Sequence, residues 1–277
     1  MDPVPFKFVD CVFHRMTLES IKPSGELNHN VWHHVSNIHL SQRKDYVLRV
    51  EMSKRKSVRI ELISQTERKY VTPEDCTQNL SQFGRIVKIC FSHFLFLSVN
   101  GGSTIEDAVK IISSLKPYLG SVVKYDHYQN RPEASGLDEF DFWKLPVREL
   151  EFLDLERGNV LKWHLENNQC LREVEIKFEV EVRKLLELSL RYKRQIVWKC
   201  LSPLSLTAAL DEWKSTPEPV DFCLKIQSDM QGVQVVAKGI FQSETLKLYA
   251  NAIYKVYTLK HPNGEATFTV RSLVRKL

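Results

Sequence analysis

Short strand-like runs recur along the C-terminal half of the chain at a nearly constant step. Leu150, Val174, Val197 and Leu224 stand 24, 23 and 27 residues apart. Between them lie stretches with helical spacing. Residues 159–166 carry Val160, Leu161 and Leu165; 180–190 carry Val182, Leu185, Leu186, Leu188 and Leu190; 205–213 carry Leu206, Ala209, Leu210 and Trp213. So short a period has room for one strand and one helix per copy, the period of a leucine-rich-type repeat. One copy cannot bury its apolar face alone, and stacked copies form a curved parallel sheet with helices outside. The runs at 149–155, 172–178, 195–201 and 221–227 are therefore predicted to share one parallel sheet. Residues 145–155 give the best single copy, and the runs at 86–91 and 121–126, with a helix over 104–115, extend the rhythm backwards. A doubly wound sheet also alternates strands and helices, but the near-constant short period argues against it.

The two ends differ from this middle. Val4-Pro5 opens a helix, because proline's missing N–H costs nothing in a first turn. Phe8, Val9, Val12, Phe13 and Met16 follow as an apolar stripe, with Lys7, Asp10, His14 and Arg15 on the other side. After the break at Pro23-Ser24-Gly25, the residues Leu27, Val31, Trp32, Val35 and Ile38 predict a second helix packed on the first. Residues 46–52 and 58–63 alternate around Ser53-Lys54-Arg55-Lys56, a hairpin pattern. At the other end, 253–259 and 265–271 flank His261-Pro262-Asn263-Gly264. Asn-Gly accepts positive φ at both positions, so a tight hairpin is expected there, capping the sheet's last free edge. The expectation is an α/β chain in three parts: a helical segment over 1–45, a β-hairpin connector over 46–75, and an irregular repeat solenoid over 76–277 closed by the C-terminal hairpin.

Composition narrows the function classes. With 277 residues, 43% hydrophobic and 26% charged, the chain can bury a real core. Met-Asp-Pro opens it without a basic stretch and apolar run, so no secretory signal is expected. The most apolar stretch, 86–99, is broken by Lys88, Ser92 and His93 and is shorter than the ~18 residues of a membrane helix. Six cysteines without a C-x-x-C pair fit a reducing compartment, cytoplasm or nucleus. The net charge of +5 is uneven: 138–181 hold 12 acidic and 6 basic residues, whereas 182–199 hold 6 basic and 1 acidic. Such blocks polarise a surface; a nucleic-acid face would need aromatics or a readout helix set in it, and solvated faces are the commoner cause.

Motifs that carry chemistry are weak. Asn100-Gly101-Gly102-Ser103-Thr104 sits where a phosphate loop would lie, yet neither G-x-x-x-x-G-K-[ST] nor G-x-G-x-x-G is present. Ser103-x-x-Glu106 and Thr104-x-x-Asp107 read more simply as a helix N-cap. His29, His33, His34 and His39 cluster, but no glutamate completes H-E-x-x-H and no cysteine lies near, so a polar helix face is the better reading. Asp138, Glu139 and Asp141 form an acidic knot on a loop that reads as facing water. No catalytic, cofactor or metal site is expected, and an enzyme ranks behind an interaction protein.

The opening Met-Asp-Pro-Val-Pro-Phe-Lys-Phe-Val-Asp-Cys-Val-Phe resembles the start of the nematode F-box and F-box-associated family. Tyr254-Lys255-Val256-Tyr257-Thr258-Leu259-Lys260-His261-Pro262-Asn263-Gly264 resembles the strand, His-Pro turn and strand that close such chains. Trp213 resembles a tryptophan common late in them. The resemblance implies a degenerate F-box whose helices dock on a Skp-type adaptor of a cullin ubiquitin ligase, while the repeat domain holds a protein substrate. The docking residues would be Val4, Pro5, Phe8, Val12, Phe13 and Met16. Two helices cannot bury this whole stripe, and each such side chain gains about 1.5–3 kcal/mol on burial. A partner's groove is one place for the surplus; the chain's own repeat domain, with the helix as its cap, is the other. Phe8 and Phe13 point about 140° apart, so at least one is expected to stay exposed.

Overall fold

The computed structural model describes residues 5–16, 21–22, 30–53, 57–65, 70–71, 84–94, 103–115, 118–119, 124–129, 143–152, 159–177, 179–200, 203–226, 243–249 and 252–276. The fold is mixed α/β, and the chain divides into two compact units, Met1–Leu145 and Pro146–Leu277. The expected boundaries at 45 and 75 fall inside the first of them.

In the first unit, α1 (Phe6–Arg15) and α2 (Asn30–Gln42) precede β1 (Lys44–Ser53), β2 (Val58–Ser64), β3 (Tyr70–Val71), β4 (Gly84–Phe94), α3 (Ile105–Ser114) and β5 (Lys124–Gln129). β1 and β2 form the expected antiparallel hairpin, with Met52 opposite Val58 and Tyr46 opposite Ser64. This hairpin is not a connector. β1 also pairs in parallel with β4, and β4 with β5, giving the order β5-β4-β1-β2-β3. Tyr46, Leu48, Val50 and Met52 alternate into the core along β1. Asn100, Gly101 and Gly102 lie outside the described residues. Thr104 caps α3: its Oγ1 accepts from Asp107 N at 3.2 Å and donates to Asp107 Oδ2 at 2.9 Å.

The second unit follows the period. Strands β6 (Glu149–Phe152), β7 (Glu173–Ile176), β9 (Val197–Cys200) and β11 (Phe222–Ile226) pair in parallel in chain order. Helices α4 (Asn159–Asn167), α5 (Val182–Tyr192) and α6 (Leu206–Ser215) connect them. Crossovers of one hand between neighbouring strands put all three helices on one face. Two-residue strands β8 (Val180–Glu181) and β10 (Pro203–Leu204) pair in parallel at the entries to α5 and α6. The in-register core residues are Leu150, Val174, Trp198 and Leu224, then Phe152, Ile176, Cys200 and Ile226, all buried. The anchor at Val197 is thus one residue early. Trp198 enters the core and Val197 takes the other face, because a shift of one residue along a strand reverses its side.

β14 (Thr267–Lys276) adds to β11 in parallel, and β13 (Ala252–Lys260) and β12 (Ser243–Tyr249) continue antiparallel. The C-terminal hairpin forms, with Lys260 opposite Thr267, but it is not a two-residue Asn-Gly turn. His261 N donates to Ala266 O at 2.9 Å, closing a four-residue loop, and Asn263 has no positive φ. The turn is set by the buried His261 ring. Its Nδ1 accepts from Asn263 N at 3.1 Å, which leaves Nε2–H to donate to Trp213 O at 3.0 Å. Trp213 stands edge-on to this ring at 4.9 Å and to Phe268 at 5.5 Å, and donates its Nε1–H to Val220 O.

Candidate functional site

The stripe along α1 splits into two faces. Val9 and Phe13 are fully buried with Ile21 and Val35, and Met16, Val31 and Trp32 pack against them. Phe13 meets Trp32 edge-on at 5.6 Å. The opposite face holds Pro5 and Phe8, exposed, and Val12, half-buried; Phe8 is 55% exposed, and its neighbour Phe6 is 48% exposed. Val4 lies outside the described residues. Of the six proposed docking residues, Phe13 is therefore a core residue, and Met16 flanks the same core. Pro5, Phe8 and Val12, three and four residues apart, share one face as helical geometry requires.

What fixes α1 in place is a pair of buried arginines that the sequence reading missed. Arg43 Nε and Nη2 donate to Asp45 Oδ1 and Oδ2 at 2.6 and 3.1 Å, and its Nη1 donates to Met16 O at 2.6 Å. Arg85 donates to the same Met16 carbonyl at 3.0 Å and to Phe13 O. Two cations thus satisfy carbonyls at the C-terminal end of α1, where the helix dipole is negative. Burial first, then the Arg43 charge, lowers Arg85 to about 9 against the pull of Asp45 and Asp10, so it stays charged at neutral pH. On the other flank, the buried His39 Nε2 bonds Asp10 Oδ1 at 2.8 Å. A single arginine at the head of the apolar β4 run was the signal available in sequence.

His33 and His34 are exposed while His39 is buried, so these three do not converge on one point; His29 lies outside the described residues. Asp138, Glu139 and Asp141 lie outside them too. Among the described residues no group of His, Cys, Asp and Glu could hold a metal ion, and no helix is long and apolar enough to cross a membrane.

In the second unit, the face of the sheet opposite the core residues carries a charged row. Register aligns Glu151, Glu175, Lys199, Lys225 and Arg271 on five adjacent parallel strands. Glu149, Glu173, Val197, Cys223 and Thr269 form the next row. Lys177 bridges Glu151, at 3.3 Å, and Glu175, and Lys199 pairs with Glu173. Burial would lower Lys177, but hydrogen bonds and charge from Glu175 and Glu151 outweigh it and raise its pKa. Lys225 Nζ lies 4.9 Å from the centre of the Tyr254 ring. Burial pushes the Cys223 thiol up, and Arg271 and Lys225 pull it the other way, so both cations act on that point.

A cavity of about 360 Å³ opens at the strand-start rim, lined by Lys193, Arg194, Gln195, Asp221 and Glu265 among others. Its polar groups already hold the rim together. Asp221 accepts from Gln195 Nε2 and from Thr267 N, each at 2.8 Å, and Arg194 donates to Leu165 O at the end of α4. No family model, no curated protein and no solved structure matches the chain.

Proposed function

We propose that this chain is a non-enzymatic protein-interaction module, acting as the F-box resemblance implies: α1 and α2 dock on a Skp-type adaptor, and the second unit, as a leucine-rich-like solenoid, holds a protein substrate for a cullin ubiquitin ligase. The observation that carries the reading is the exposure of Phe8 on the side of α1 that also holds Pro5 and Val12, while Val9 and Phe13 are buried on the side facing the core. An aromatic left open to water on the surface of a packed helix is the form of an interface anchor before its partner arrives.

A second reading is a free-standing interaction solenoid without adaptor binding. It draws support from the arginine clamp and the burial of Phe13, which fasten α1 to its own unit with no partner needed. Co-purification of the full chain with a Skp-type adaptor separates the two. Under the first reading the adaptor is retained, and Phe8→Ala weakens it by about 2 kcal/mol, a hot-spot effect. The stability of the chain itself should change by no more than about 0.5 kcal/mol, as for other exposed sites. Failure of the wild-type chain to retain any Skp-type adaptor removes the first reading and leaves the second.

A further inference from the structure

The charged row of the second unit is unevenly paired. At the β6–β7 end, Lys177 serves Glu151 and Glu175, and Lys199 serves Glu173. Moving to β11, Lys225 meets the Tyr254 ring and has no carboxylate partner among the described residues. Arg271 stands beside it in register on β14. From β9 to β14 the row spans two strand spacings, about 10 Å, with Lys225 between Lys199, which Glu173 already pairs, and Arg271. Lys225 and Arg271 are half-buried, so a carboxylate arriving there is partly withdrawn from water, where a charge pair is worth more than on an open surface.

We propose that the half-exposed Lys225 end of this row receives an acidic segment of a protein partner, whose aspartate or glutamate carboxylate pairs with Lys225. The proposal rests on reading the second unit as the substrate-holding part and names the chemistry of what it holds. A nucleic acid fits the face less well. Glu149, Glu151, Glu173 and Glu175 stand on the two strands beyond Lys199, and a closely spaced run of phosphates crossing the sheet would meet them. A protein segment can place a single carboxylate at Lys225 and neutral residues elsewhere. Three to four extended residues cover about 10 Å.

The test is a fluorescence-anisotropy titration of the full chain with a short labelled peptide of Glu, Ser and Leu, its C-terminus amidated. The wild-type chain is expected to bind it, and a peptide with Gln in place of Glu to bind at least about tenfold more weakly. Lys225→Glu should weaken the acidic peptide by about tenfold or more, and Lys225→Arg should retain it. Lys184→Glu makes the same charge change at an exposed position on α5 and should leave the affinity within about twofold. The proposal is overturned if the wild-type chain does not bind the acidic peptide, or if Lys184→Glu costs as much as Lys225→Glu. It is equally overturned if a single-stranded oligonucleotide binds more tightly than the peptide and is lost in Lys225→Glu. Adaptor co-purification is read in parallel: an adaptor retained without peptide binding removes this proposal alone, and peptide binding without an adaptor removes only the docking reading.

Discussion

The two units fasten helices to sheets by different means. In the second, attachment is apolar and periodic: β6, β7 and β9 each send two residues into the core and β11 three, and Trp198 and Trp213 fill the space beneath α5 and α6, their indole N–H groups bonded to Ser189 and Val220. In the first, the end of α1 is held by Arg43 and Arg85 acting on its carbonyls. A repeated apolar pattern needs only volume and spacing. A charged clamp needs every donor placed, and it fixes the direction in which α1 leaves the core. That direction sets which side of α1 stays open, so Phe8 is available because Phe13 is pinned.

The comparison makes graded expectations. Trp213→Ala should be the most damaging, about 3–5 kcal/mol by urea denaturation, because it empties the packing against His261 and Phe268. A loss below about 1 kcal/mol would mean that the apolar account of this unit is wrong. Arg43→Met should cost about 2–4 kcal/mol, since Asp45 is left nearly buried without its cation. The double variant Arg43→Met/Asp45→Asn should recover part of it, and strictly additive losses would break the clamp reading. Lys177→Met should cost less, about 1–3 kcal/mol near pH 8, because Lys177 is one-third exposed and water screens it. Its pKa is raised in the fold, so its contribution is full below the unfolded value of about 10.4 and is lost as pH rises through the folded value. The gap between the variant and the wild type should therefore narrow as pH rises past the unfolded value and through the raised folded one, and a gap that stays constant throughout that rise would assign the loss to packing of the Lys177 stem instead.

The parts of this protein that were legible in its sequence are those where one residue's environment repeats. Alternation along 149–155 and the helical spacing over 180–190 located a strand that the structure shows at 149–152 and a helix that it shows at 182–192, and the parallel sheet followed from the period. The face assignment failed at Val197 because one apolar residue was taken as the anchor without its neighbours: polar Gln195 and Lys199 share the side of Val197, and apolar Ile196 and Cys200 share the side of Trp198. The Asn-Gly signal found the C-terminal hairpin but not its turn, because the buried His261 ring imposes a longer loop than local φ preference would choose. Thr104 was legible because a cap is a local bond between residues three apart.

The charges on β6, β7, β9 and β11 were visible as alternating residues, but their alignment into one row depends on interstrand register. The sequence by itself determined the amphipathic α1, the hairpin of β1 and β2, and the strand–helix succession of the second unit, since each rests on periodicity within a short stretch. Only the tertiary structure decided that β1 lies between β2 and the distant β4. It also decided that Arg85, 72 residues from Phe13, takes that residue's carbonyl, and that Phe13 rather than Phe8 is buried. The physical reason is that both phenylalanines satisfy the same helical pattern. Which one water loses is set by contacts between segments far apart in the chain, and no local pattern encodes those.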